Sequence, residues 1–248
     1  MNVTAMIQAR MASTRLPGKV LADIAGRSML ARVCDRVRQA ETVDRIVVAT
    51  GDGPSDAPVV ECCRQMAVAC FRGSEADVLD RFDRAAKEFR SEVVVRITAD
   101  CPLIDPAVVD EVVRAFLRER EGPTGCDYAS NTLRRTWPRG LDTEVMTADA
   151  LADANRLATE PHERTHVTPY IYQHPERFRL LPVTGREDYS DRRWTVDEPE
   201  DLDLIRAVYE RLGGQTAPGW KDVRRVLADE PALARLNRHV RHKQLTEG

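Results

Sequence analysis

Short apolar runs alternate along the chain with stretches whose apolar residues recur every three or four positions, the pattern of a mainly parallel sheet flanked by helices. Residues 3–9 (VTAMIQA) read as a first strand, and 28–40 as a helix with Met29, Leu30, Val33 and Val37 on one face. A second strand is predicted at 45–50, a helix at 57–67 and a short third strand at 67–71. Val78, Phe82, Ala85, Ala86 and Phe89 are spaced for a helix over 76–89. The almost unbroken apolar run VVVRIT at 93–98 is the signature of a buried central strand. Pro106 in a first turn opens a helix over 106–120.

From about 121 to 190 the alternation loosens, and this stretch reads as an insertion or lid within one domain spanning 1–248. Order returns at 192–213 as a short strand, Asp197 and then a helix with Pro199 near its start. The tail from about 219 to 248 is a helical mixture of basic and acidic residues with Leu227, Leu233, Leu236 and Val240, suited to packing on the domain or on a second subunit.

Composition narrows the function classes. A length of 248 residues with 42% hydrophobic and 31% charged residues suits a globular α/β domain. The net charge of −3 argues against a general nucleic-acid or membrane-surface binder, so any basic site has to be local. No apolar run approaches the ~20 residues of a membrane span, and the N-terminus lacks a signal-like pattern, so a cytoplasmic location is expected. Six cysteines without a Cys-x-x-Cys pair read as small apolar fillers in a reducing compartment.

Against that acidic background the loop after the first strand stands out, because Arg10, Arg15 and Lys19 fall within ten residues, among Ala12, Ser13, Thr14 and Gly18. It lies at the carboxyl edge of the sheet, where open α/β folds bind ligands. Cations beside small residues that let the backbone approach make a polyphosphate cradle. A P-loop would need glycine at Ser13 and Ser or Thr at Val20, and Gly51 and Gly53 lack the third glycine of a dinucleotide fingerprint, since Asp56 stands there. Two aspartates, Asp100 and Asp197, end strand-like segments. Magnesium is satisfied by a few carboxylates plus phosphate oxygens and water, although each aspartate also precedes a proline-containing helix start and could simply cap it.

The blocks QARMASTRLPGK, GSEADVLDRF, RITADCPLIDP, RGLDTEVM, ERTHVTPYIY and RWTVDEPEDL occur in order along nearly the whole chain. In them the sequence resembles the cytidylyltransferases that make CMP-activated acidic sugars, namely the 3-deoxy-manno-octulosonate and acylneuraminate enzymes and especially the spore-coat polysaccharide branch. The resemblance implies a Rossmann-like fold of the nucleotide-diphospho-sugar transferase type with a lid or dimerisation insertion, and a homodimer. It implies CTP and Mg²⁺, with Arg10, Ser13, Arg15 and Lys19 on the triphosphate and Gln8, Ala9 and Thr98 at the base and ribose. Asp77 would join the nucleotide pocket, and Asp100 and Asp197 would hold the metal. Asn131, Arg139, Asp142, Glu144, Glu163 and His166 would meet a small acidic acceptor, a sugar acid or a phosphonate-like compound. Lys19, Arg10, Asp100 and Asp197 would then carry catalysis. One departure is plain: the larger sugar-acid enzymes carry Gln-Gly-Asp-Glu-Pro where this chain has Thr98-Ala99-Asp100-Cys101-Pro102.

HERTH at 162–166 is a literal zincin motif, but Pro161 and Pro169 leave room for about two turns and no third ligand follows convincingly. A glycosyltransferase would usually present a compact Asp-x-Asp, and the triplet Asp201-Leu202-Asp203 falls inside the predicted helix. A non-catalytic nucleotide-binding subunit is the remaining alternative. His174, His239 and His242 carry no assigned role.

Overall fold

The structure is a computed structural model that describes residues 1–213 and 218–241. The chain runs through β1 (Val3–Gln8), a two-residue pair β2 (Asp23–Ile24) and β3 (Arg27–Ser28), α1 (Met29–Val37), β4 (Arg45–Gly51), α2 (Ala57–Gln65), β5 (Ala69–Gly73), α3 (Val78–Glu88) and β6 (Val93–Thr98). It continues through α4 (Pro106–Arg120), β7 (Tyr128–Ser130), β8 (Glu144–Thr147), α5 (Ala148–Leu157), α6 (Pro161–His166), α7 (Pro169–Gln173), β9 (Leu180–Pro182), α8 (Pro199–Arg211) and α9 (Trp220–Asp229). Seven strands form one sheet in the order β5-β4-β1-β6-β8-β7-β9. The left-hand four are parallel, and β8 alone runs against its neighbours.

Alternating side chains sort the core into two layers, as the pleat requires. Val3, Ala5 and Ile7 of β1 and Val93, Val95 and Ile97 of β6 join one cluster with Val33, Val109, Val113, Ile205 and Val208. Met6 and Val94 face the other way, onto Leu79, Phe82, Leu151 and Ile171. The helices are capped as their sequences ask: Ser28 accepts from Ala31 N, and Asp105 accepts from Ala107 N and Val108 N.

The 121–190 stretch is woven into the sheet. It supplies β7, β8 and β9, while α5 packs on α3. The strand expected near 193–196 is an extended segment with a single bridge, Arg193 to Arg139. In the tail, α9 turns Val223 and Leu227 into the main core and Leu233 packs against it, so this part of the tail packs on the domain. Among the described residues, Met1 and Leu236 are the exposed large hydrophobics. The end of the predicted tail, including His242, lies outside the described residues. No helix among them is long and apolar enough to cross a membrane.

Candidate active site

The chain passes from β1 through α1 to β4 and β5 on one side, then returns to place β6 on the other side of β1. That reversal opens a crevice at the carboxyl ends of β1 and β6, where doubly wound sheets bind their ligands. Gln8 and Thr98 are paired residues at this point. The loop that leaves β1 is pinned at its start by the buried Asp56, whose carboxylate accepts from Met11 N at 2.7 Å and Gly51 N at 2.9 Å. It ends at Gly18, whose φ of 71° belongs to the left-handed region that glycine enters freely. The turn delivers Lys19 into the crevice.

The Lys19 ammonium donates to Asp100 Oδ2 at 3.0 Å, to Asp197 Oδ1 at 2.9 Å and to the Val196 carbonyl at 2.7 Å. All three of its protons are thereby used. Val196 N donates to the Asp100 carbonyl at 2.8 Å, which sews the returning segment to the end of β6 and brings the two distant aspartates together. Thr98 Oγ1 donates to Asp100 Oδ1 at 2.6 Å. Asp197 also takes Arg15 at 3.1 Å and Arg193 at 2.8 Å, and Arg193 in turn holds the fully buried Asp201. Arg15 reaches Glu198 at 3.0 Å as well. Burial disfavours the charges of both Lys19 and Asp197, yet the opposite charges outweigh it. The Lys19 pKa is therefore raised and that of Asp197 lies well below the usual carboxylate range.

Beside this cluster lies a cavity of about 410 Å³, joined to it through Thr98 and lined by Arg96, Arg135, Asp142, Glu144, His166 and Tyr172 among others. Arg96 is paired with Glu144 and donates to Gln8 Oε1 at 2.8 Å. Glu144 accepts further from Tyr128 Oη and Thr168 Oγ1, both at 2.6 Å. Across the cavity Arg135 grips both oxygens of Asp142, with Nη2 at 2.8 Å from Oδ2. Burial opposes the Arg135 charge, but Asp142 more than compensates and its pKa is raised.

Residues 4–223 match the Cytidylyltransferase family. The chain belongs to this family. A 3-deoxy-manno-octulosonate cytidylyltransferase of Anaeromyxobacter is 39% identical over 84% of this chain and 96% of its own length. The spore coat polysaccharide biosynthesis protein SpsF of Bacillus subtilis is 35% identical over 86% of this chain and 88% of its own. A cytidylyltransferase structure from Leptospira borgpetersenii superposes with a TM-score of 0.90 at 30% identity, covering 98% of this chain and 99% of that one.

In this cytidylyltransferase fold the expected site residues divide. Gln8, Thr98, Lys19, Arg15, Asp100 and Asp197 converge at the crevice, and Asp142, Glu144 and His166 line the cavity. Ala9 is buried with its amide bonded to the Ala49 carbonyl, and Ser13 Oγ accepts from Leu16 N within the loop. Arg10 is exposed at the mouth of the loop. Four others lie elsewhere. Asp77 caps α3 and pairs with Arg164, tying α3 to α6. Asn131 is spent on the backbone of Leu141 and Thr143, at 2.7 and 2.9 Å, and so shapes the loop behind Asp142. Glu163 turns onto the amides of Thr159 and Glu160 at the start of α6, the six-residue helix that holds the whole zincin-like motif. Arg139 faces a different cleft, between the 190–194 segment and the tail. Arg96 and Arg135 were not foreseen. The lone cation inside the apolar run VVVRIT was the available signal for Arg96, since a buried charge needs a partner and a reason.

The donor chemistry fits a hard divalent cation: two carboxylates, Asp100 and Asp197, converge on one point, which the Lys19 ammonium fills.

Proposed function

We propose that this cytidylyltransferase transfers CMP from CTP to a small acidic acceptor, with Mg²⁺ and release of pyrophosphate. The observation that carries the proposal is the convergence of Lys19, Asp100 and Asp197 at the sheet's switch point, next to a cavity with arginines on two walls. CTP lies over the β1 loop with its base toward Gln8 and Thr98. Lys19, Arg15 and Arg10 take the β- and γ-phosphates, where negative charge accumulates as pyrophosphate leaves. Asp100 and Asp197 would hold Mg²⁺, which would supply positive charge to offset that of the α-phosphate. The acceptor occupies the cavity, and its oxygen attacks the α-phosphorus opposite the leaving pyrophosphate, so no covalent enzyme intermediate is needed.

Acidic character is read from Arg135 and Arg96. Arg135 holds a carboxylate, Asp142, in the bidentate geometry that an acceptor carboxylate or phosphonate would use, and the two compete for the same fork. The relative named for 3-deoxy-manno-octulosonate supports a sugar acid, and the one named for spore coat polysaccharide supports a polysaccharide precursor. The test uses CTP labelled at the α-phosphate, Mg²⁺ and a panel of sugar acids, neutral sugars and phosphonates. Label should move to one acidic compound, and Arg135→Met should raise its KM far more than that of CTP. Transfer to a neutral sugar, with Arg135→Met unaffected, would contradict the acidic acceptor.

A further inference from the structure

A second cleft, about 550 Å³, opens between the extended 190–194 segment, α9 and the chain that follows it. Five arginines line it, Arg139, Arg192, Arg193, Arg235 and Arg238, against a single acidic side chain, Asp191. That is a strong local excess in a chain of net charge −3. Asp191 is engaged with Arg192 at 3.4 Å, and Arg193 is committed to Asp197 and Asp201. Arg139, Arg235 and Arg238 have no side-chain hydrogen-bond or ion-pair partner among the described residues. A three-residue spacing after the short 3₁₀ turn Leu233–Arg235 sets Arg235 and Arg238 toward the same cleft. Burial, and then the neighbouring Arg135 and Arg193, push the Arg139 pKa below its ordinary value. Cations gathered in one cleft repel one another unless an anion joins them.

We propose that this cleft is a binding site for a small multivalent oxyanion, one bearing phosphate or carboxylate groups. Its volume is that of a small-molecule pocket, larger than a single phosphate requires. Guanidinium forks from three segments of the chain, at 139, 192–193 and 235–238, offer paired donors to oxyanions. The site lies outside the crevice that holds Lys19 and Asp100 and touches it through Arg193, which lines the cleft and donates to Asp197 at 2.8 Å.

Pyrophosphate and inorganic phosphate are the probes, titrated calorimetrically without added metal into wild type, Lys19→Met, and Lys19→Met carrying Arg235→Ala and Arg238→Ala. Arg235 and Arg238 are exposed, so their removal leaves the core intact, and a thermal melt confirms it. Lys19→Met should retain pyrophosphate binding that is tighter than phosphate binding and weakens as NaCl is added. The two arginine substitutions should then lower the affinity by about tenfold or more. Unchanged binding in the triple variant would overturn the proposal, as would complete loss of binding in Lys19→Met alone. The source of the anion separates in the transfer reaction with Arg235→Ala/Arg238→Ala. A raised KM for the acceptor alone identifies the acceptor's far end, and unchanged KM values identify a free phosphate compound.

Discussion

Replacing Lys19 by methionine removes the one cation that, among the described residues, touches both Asp100 and Asp197. Asp197 would keep Arg15 and Arg193, whereas Asp100 would keep two uncharged donors, the Thr98 hydroxyl at 2.6 Å and the Cys101 thiol at 3.6 Å. A divalent cation entering between the carboxylates has to displace the ammonium first. Charge-assisted hydrogen bonds are worth about 1.5–3 kcal/mol net. The two carboxylates are 24% and 17% exposed, so solvent screens part of that energy, and about 1.5–3 kcal/mol for both contacts together is the reasonable figure. Removing the competitor should therefore strengthen metal binding by about 10- to 100-fold. Titration with Mn²⁺ followed by electron paramagnetic resonance, with no nucleotide added, measures this directly. Wild type should bind Mn²⁺ weakly alone and more tightly once CTP is present, because phosphates draw Lys19 off the carboxylates. Lys19→Met should bind Mn²⁺ tightly without CTP and gain little from adding it. A variant that binds Mn²⁺ no better than wild type would refute the competition.

Two further perturbations test the frame around the crevice. Gly140 has φ 104°, and a Cβ there would lie 2.6 Å from the Trp194 carbonyl carbon and 2.7 Å from Thr195 N, so Gly140→Ala should cost at least about 2 kcal/mol in urea unfolding. It should also lower activity by shifting the segment that carries Asp197. Acid is the second perturbation. The Asp197 carboxyl is held below its unfolded pKa of about 3.9 by Lys19, Arg193 and Arg15 against the opposing effect of burial, so its stabilisation is full above about pH 4 and fades as pH falls below that. Lys19, with its pKa raised, loses its contribution only as pH climbs beyond about 10.4. Urea midpoints should thus stay level near neutrality and fall on the acid side, less steeply in Asp197→Asn; equal slopes would remove Asp197 as the cause.

The parallel half of the fold was legible because its strands run five to seven residues and its helices each carry an apolar face; β6 occupies the 93–98 range its pattern predicts. The β7, β8 and β9 strands are only three or four residues each, too short for a period of two to show against the surrounding turns. Hence 121–190 read as an insertion although it extends the sheet. Lys19, Asp100 and Asp197 were visible as chemistry, but their meeting depends on long-range bonds, from Val196 N and Thr195 Oγ1 to the Asp100 carbonyl, that no local pattern encodes. Asp77, Asn131 and Glu163 show the reverse case. Polar residues in suggestive blocks are consumed by an ion pair, a loop and a helix start. The Arg135–Asp142 grip was hidden because the resemblance pointed to Arg139 as the acceptor's arginine, whereas Arg139 lines the other cleft and Arg135, four residues earlier, faces the cavity.

The most direct measurement is pyrophosphate release from CTP with Mg²⁺ and the acceptor found in the transfer panel, run in parallel on wild type and Asp100→Asn. Wild type should release one pyrophosphate for each CMP transferred and prefer CTP over the other three triphosphates. Asp100→Asn should melt within a few degrees of it and lose about 100-fold or more in turnover. A wild type that releases no pyrophosphate from CTP, or an Asp100→Asn protein that keeps wild-type turnover, would contradict a reaction centred on Lys19, Asp100 and Asp197.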